Sequence, residues 1–405
     1  MTKRILFVDD EQMVLRGIER SLRGMRREWQ VEFQPGGAQA LEAMEREPFD
    51  VVISDMRMPG MDGAHLLEQV KQRFPRTVRM ALSGQSDKAT ILRSLGPTHQ
   101  YLSKPCDVEE LKQKLKRALS LRDLLDNAIL KEVVSRLAAV PSLPRLWREL
   151  SHYLQSGGDS IAEAGRIVSQ DIGMTTKVLQ LVNSAFLGAP VQISSAARAA
   201  ARIGLDDLRT LALSLGLFTP FEGSPTLAEE MDCVQKQSWQ CAEAARAIAL
   251  AEECAPNVVE AAYTAGFLHK IGKLVLALAC SVDYEAFLRA KANEQLPAGE
   301  LEYRIFGASH DQVGAYLLGL WGLPQSIVEA VAWHHQPSQA QPSAFSPLIA
   351  VHVGAAIQHR LGHTLSSEDN IGVDQALLDH LGLGGRLPAW IKAVERMKHQ
   401  EAAHA

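Results

Sequence analysis

Three short runs without a polar residue, Ile5-Leu6-Phe7-Val8, Val51-Val52-Ile53 and Met80-Ala81-Leu82, constrain the first third of this chain more than any other feature. A strand with one solvated face alternates apolar and polar side chains, whereas a continuous apolar run fits a strand covered on both faces, as in a parallel sheet. Between these runs Val14, Leu15, Ile18 and Leu22, and later Leu66, Leu67 and Val70, recur at helical spacing. The alternation predicts an α/β doubly wound parallel sheet of flavodoxin-like type over residues 1–121.

Strand signals stop after Leu121. An apolar stripe of Leu121, Leu124, Leu125, Ala128, Ile129, Val133 and Leu137 continues the helical pattern of Leu111, Leu115 and Leu119, which predicts one long connecting helix through residues 122–140. Pro141 and Pro144 mark a new domain start. Helical periodicity then dominates residues 141–395, predicting a second, all-α domain, with a polar tail at 396–405. The fold expected is therefore multidomain.

Charge narrows the partners. A formal net charge of -5 argues against a generally basic nucleic-acid binder. No compact helix-turn-helix flanked by clustered Arg and Lys follows residue 140, so direct DNA binding is not expected. The first ten residues are too acidic for a signal peptide, and no apolar run approaches the roughly 20 residues that span a bilayer, so a cytoplasmic protein without membrane insertion is expected. The five cysteines are scattered and odd in number, which predicts reduced thiols.

In an open α/β sheet, functional side chains gather where the strands end. Here the first strand runs into Asp9-Asp10, the next clear one into Asp55, another into Ser83, and Tyr101-Leu102-Ser103 into Lys104-Pro105. Asp9, Asp10 and Asp55 offer the hard oxygen donors that Mg²⁺ requires. An Asp carboxylate can attack a phosphoryl group if cations neutralise its equatorial oxygens. Lys104 is placed for that, and Ser83 for a hydrogen bond to a phosphoryl oxygen.

These motifs, with Ser54-Asp55-Met56-Arg57-Met58-Pro59-Gly60-Met61-Asp62-Gly63, Ser83-Gly84 and Lys104-Pro105, closely resemble the signature of response-regulator receiver domains over about residues 3–121. The resemblance implies that Asp55 is the phospho-acceptor and a sensor histidine kinase the phosphodonor. It further implies an Mg²⁺ site completed by the Arg57 backbone carbonyl, a cis Lys104-Pro105 bond, and Ser83 with Tyr101 as the switch pair.

In the helical half, Gly266-Phe267-Leu268-His269-Lys270-Ile271-Gly272-Lys273, Ser309-His310-Asp311 and His334-His335 resemble the HD superfamily of metal-dependent phosphohydrolases. They are closer to its degenerate relative, the HDOD output domain, over about residues 132–395. The resemblance implies that catalysis needs an early His, a His-Asp doublet and a late Asp. Here the first slot carries Gln237 or Ser238, the doublet is His269-Lys270, and the last slot falls on Gly354 or Ala355. The expectation is a non-enzymatic output domain with no resident cofactor, which signals by contact with a downstream protein, for instance a signalling enzyme. His269, Lys270, His310, His334 and His335 would then be a degenerate pocket of histidines satisfied by neighbouring groups. Zn²⁺ binding by His310, Asp311, His334 and His335 is the competing reading of those residues. Two functional alternatives stand beside it: a cyclic-dinucleotide or nucleotide phosphohydrolase, and a nucleotide-binding sensor without catalysis. The amphipathic connector also allows a homodimer.

Overall fold

A computed structural model describes residues 2–83, 96–104, 107–121, 125, 127–183, 192–214, 216–294, 296–361 and 372–404. Five parallel strands, β1 (Lys3–Val8), β2 (Trp29–Gln34), β3 (Val51–Asp55), β4 (Val78–Ser83) and β5 (Gln100–Ser103), form one sheet in the order β2-β1-β3-β4-β5. Ile5, Leu6, Phe7, Val8, Val51, Val52 and Ile53 are fully buried, as strands covered on both faces must be. β2 has no continuous apolar run. It lies at the sheet edge with only Trp29 buried, so its sequence carries little core signal.

Register sets the site. Val8 pairs with Ser54 and Asp55 with Leu82, so Asp9, Asp55 and Ser83 leave the sheet at one level. Ser83 pairs with Ser103, which puts Lys104 at the same edge. The helix Gly63–Arg73 begins with Asp62 as N-cap, its carboxylate accepting from the His65 N–H at 2.8 Å. A Cβ on Gly63 would lie 2.0 Å from the Asp55 carbonyl oxygen, so only glycine lets this helix start against the strand end.

The expected continuous connector is corrected. One helix spans Val108–Leu121 and a separate one Ala128–Arg136. Asn127 interrupts them with an extended backbone, its side-chain oxygen accepting from the Ile129 and Leu130 N–H groups at 3.0 and 3.1 Å. Its amide also donates to the Phe306 carbonyl at 2.8 Å. The apolar stripe passed through this break because it records burial, whereas the cap residue records where the backbone leaves the helix.

Beyond Val140 the regular elements among the described residues are helices, apart from an isolated bridge between Ser142 and Pro220. Pro144 opens its helix at a position where the missing N–H goes unused. The last helix runs from Leu387 to His404, so the expected polar tail continues a helix. The core here depends on close backbone approaches. The long helix Pro225–Ala251 packs on Pro256–Leu268 where a Cβ on Gly266 would fall 2.8 Å from the Ala242 Cα. The helices Ile271–Ala279 and His310–Leu320 meet at Gly272, where a Cβ would lie 1.8 Å from the His310 carbonyl oxygen. Gly272→Ala should therefore destabilise the helical half by about 1–3 kcal/mol through overpacking. Urea unfolding followed by circular dichroism reads this, and an unchanged midpoint would contradict the contact.

Candidate functional site

Asp9 and Asp55, both buried, and the exposed Asp10 bring carboxylate oxygens within 4.8 Å of one another at the carboxyl edge of the sheet. Lys104 spans them, its ammonium 2.8 Å from Asp9 and 2.5 Å from Asp55. The Arg57 N–H donates to Asp55 Oδ2 at 3.2 Å, which holds the Arg57 backbone against the carboxylate. Tyr101, on β5, is buried. Asp9, Asp10, Asp55 and Lys104 thus come together with the Arg57 backbone beside them, and Ser83 is placed by its strand register. Gly84 and Pro105 lie outside the described residues.

Charge is unbalanced at this edge. Burial pushes the Asp55 carboxyl above the usual carboxylate range; the Lys104 contact pulls the other way and Asp9 adds to the rise. Burial alone would lower Lys104, but Asp55 and Asp9 outweigh it and hold the ammonium above its ordinary value. Three carboxylates face one ammonium, an oxygen-rich set of net negative charge that suits a hard divalent cation.

The histidines of the helical half also converge. His310 Nδ1 lies 2.8 and 2.9 Å from the carboxylate oxygens of Glu302, which is itself buried. His334 Nδ1 and His269 Nδ1 face the carbonyls of Val331 and Gly266 at 2.9 and 2.7 Å. Glu302, on the helix Ala298–Phe306, was not found from the sequence, because only tertiary packing joins it to His310. The same is true of His352, whose Nδ1 faces the His334 carbonyl at 2.7 Å and whose Nε2 accepts from the Asp374 N–H at 2.9 Å. Asp311 is not part of the cluster of His310, His334 and His335. Lys270 donates to Gln237 Oε1 at 2.7 Å, so the residues at two of the altered HD positions bond each other. At the third, a Cβ on Gly354 would meet the backbone of Ala245 at 3.2 Å, leaving little room for a carboxylate. Asn183 fixes a turn by donating to the Ile193 carbonyl and accepting from its N–H, both at 2.7 Å. Its neighbours Ser184 to Phe186 lie outside the described residues.

The two domains touch. Gln100 donates its amide to the Gly319 and Leu320 carbonyls at 3.0 and 3.1 Å, at the end of the helix His310–Leu320 where the last carbonyls have no partner further along the helix. The fully buried Arg79 of β4 donates to the carbonyls of Pro97, Pro75 and Thr77 and to that of Ser135 on the connector. The Ser135 carbonyl also lies 3.1 Å from His99 Nε2. No single helix among the described residues is long and apolar enough to cross a membrane.

Known proteins agree with this division. The response regulator receiver domain family matches residues 5–116 and the HDOD domain family residues 140–337. The DNA-binding transcriptional regulator NtrC of Escherichia coli (strain K12) is 38% identical over 114 residues, covering 28% of this chain and 24% of NtrC. An uncharacterized protein of Treponema pallidum (strain Nichols) is 26% identical over 249 residues, 61% of this chain and 45% of that protein. The chain thus spans between about a quarter and a half of the length of these curated relatives. The crystal structure of the MmoQ response regulator from Methylococcus capsulatus str. Bath aligns with a TM-score of 0.47 at 24% identity, over 62% of this chain and 98% of that one. With the acidic edge and the helical second half both in place, the chain is a response regulator receiver domain followed by an HDOD domain.

Proposed function

We propose that Asp55 accepts a phosphoryl group from a sensor histidine kinase and that the HDOD domain passes the signal on by protein contact, without turnover. The observation that carries this reading is the 2.5 Å approach of Lys104 to Asp55 within a cluster of three carboxylates. A carboxylate oxygen of Asp55 would attack phosphorus in line while Lys104 neutralises charge on the equatorial oxygens. Asp9, Asp10, Asp55 and the Arg57 carbonyl would hold Mg²⁺, whose chemistry is to offset the negative charge gathering as phosphate meets carboxylate. Ser83, at the end of β4, would take a hydrogen bond to the new phosphoryl group.

The route onward is the seam between the domains. Tyr101 and Lys114 on the receiver side face Trp321 and Gly322 on the HDOD side across a cavity of only about 30 Å³. That is room for about a water molecule and far below a ligand pocket, so the seam itself transmits contact. A Ser83–Tyr101 rearrangement on phosphorylation would change how β5 supports the helix His310–Leu320 and, with it, the surface shown to a downstream protein or a second copy of the chain. The Gln237–Lys270 bond supports the non-catalytic reading, since an ammonium there opposes a divalent ion by Coulomb repulsion.

Labelling with a small-molecule phosphodonor and Mg²⁺ should modify the wild type and not Asp55→Asn; label retained by the variant would refute the acceptor. In Lys104→Met the Asp55 carboxyl loses the group that lowers its pKa, so in carboxyl NMR it should titrate at higher pH than in the wild type. A shift to lower pH would contradict this charge balance. Gln100→Leu removes two bonds worth about 1 kcal/mol each. Amide hydrogen exchange should then accelerate in β5 and the last turn of His310–Leu320; protection equal to wild type would show that the seam does not depend on them.

A further inference from the structure

We propose that the HDOD domain binds a small organic cation, an alkyl guanidinium or ammonium compound of amino-acid size, in a cavity beside the helices Pro225–Ala251 and Pro256–Leu268. The cavity measures about 220 Å³, against about 30 Å³ at the seam. That is below the roughly 300–1,000 Å³ of sites for drug-sized ligands, so its occupant is small. None of its lining residues belongs to the histidine cluster or to the acidic edge of the receiver.

The lining is rich in hydrogen-bond acceptors. Ser169, Thr175 and Thr264 spend their hydroxyl hydrogens on the carbonyls of Gly165, Val168 and Ser194, at 2.7, 3.1 and 2.5 Å, which leaves their oxygens able only to accept. Glu243 and Glu260 add two carboxylates, each with about four acceptor positions, more than one ion pair uses. Charge points the same way. Two carboxylates in the lining stand against one cation, Arg246. The start of the helix Ala196–Ile203 also borders the cavity, and its roughly half positive charge reduces that balance without reversing it.

Arg246 shows how a cation is held there. Its guanidinium pairs with the Glu243 carboxylate, whose side chain is only 9% exposed, and lies 5.8 Å from the centre of the Tyr263 ring. That ring stacks on Phe267 at 6.3 Å. A carboxylate and an aromatic face together suit an organic cation. Arg246 itself is half exposed, so a ligand can take its seat while the side chain swings into solvent.

The helix Ile172–Asn183 links the cavity to the rest of the chain. It supplies Thr175 to the lining. Two residues on, facing away from Thr175, Lys177 donates to the Ala138 carbonyl at 2.6 Å and lies 5.6 Å from the centre of the Trp321 ring, which borders the seam. If the seam transmits the signal, as proposed above, an occupied cavity is a second input to it beside Asp55.

The test uses the full chain in excess Mg²⁺, which keeps other cations from the receiver carboxylates, and agmatine, a short alkyl chain bearing a guanidinium and an ammonium, as the probe. Calorimetric titration should show one equivalent bound, with a raised thermal midpoint. Glu243→Gln, close to isosteric and checked for folding by circular dichroism, should weaken binding by about 10- to 100-fold through loss of a charge-assisted bond. Arg246→Ala, at a half-exposed position, should instead tighten binding, because the internal competitor is gone; a purely structural role for Arg246 predicts no gain. No agmatine binding, equal affinity in Glu243→Gln, weaker binding in Arg246→Ala, or inorganic phosphate bound in place of agmatine would overturn the proposal.

Discussion

Excess negative charge at one edge of a parallel sheet is the constraint around which the receiver half is arranged. Burying Asp9 and Asp55 on neighbouring strands is unfavourable unless cations answer them, and the protein supplies one ammonium, Lys104, within 2.8 Å of both. The backbone is committed to that geometry. Gly63 lets a helix begin against the Asp55 carbonyl, and the strand register carries Ser83 and Lys104 to the same level. An acid cluster short of positive charge, as this one is, suits a hard divalent cation.

The helix His310–Leu320 plays the corresponding part in the other half. Its first residue faces Glu302 and lies against Gly272, and its last carbonyls accept from Gln100 of the receiver. One element thus runs from the histidine cluster to the seam. Helices are stiff over this length, so a shift at either end displaces the other rather than dissipating within it.

Much of the receiver was legible because its signals are local. Continuous apolar runs reported burial on both faces, and strand ends named the acidic edge before any contact was known. The edge strand Trp29–Gln34 escaped because only Trp29 is buried. The connector was misread because the stripe from Leu121 to Leu137 tracks which face is buried and is blind to Asn127, whose side chain caps the start of a second helix. In the helical half the sequence displayed His310, His334 and His335 but not what they touch. Glu302, the Val331 carbonyl and the His352–Asp374 contact are joined to them only by packing between helices. Arg79 is the extreme case: a charged residue in a strand reads as a solvated position, yet it is fully buried among carbonyls, where burial pulls its guanidinium down to about 9.

That buried arginine bears on how the seam can work. The contacts of Arg79 and His99 with Ser135 lie at the start of β4 and just before β5, away from the acid cluster, whereas Gln100 and Tyr101 lie further along toward Lys104. Releasing a buried guanidinium from its acceptors is expensive, while parting an amide from two carbonyls costs about 1 kcal/mol each. On the proposed reading the domains would therefore pivot about Arg79 rather than separate, because the side of the seam nearest Asp55 is also the side held by its weaker bonds.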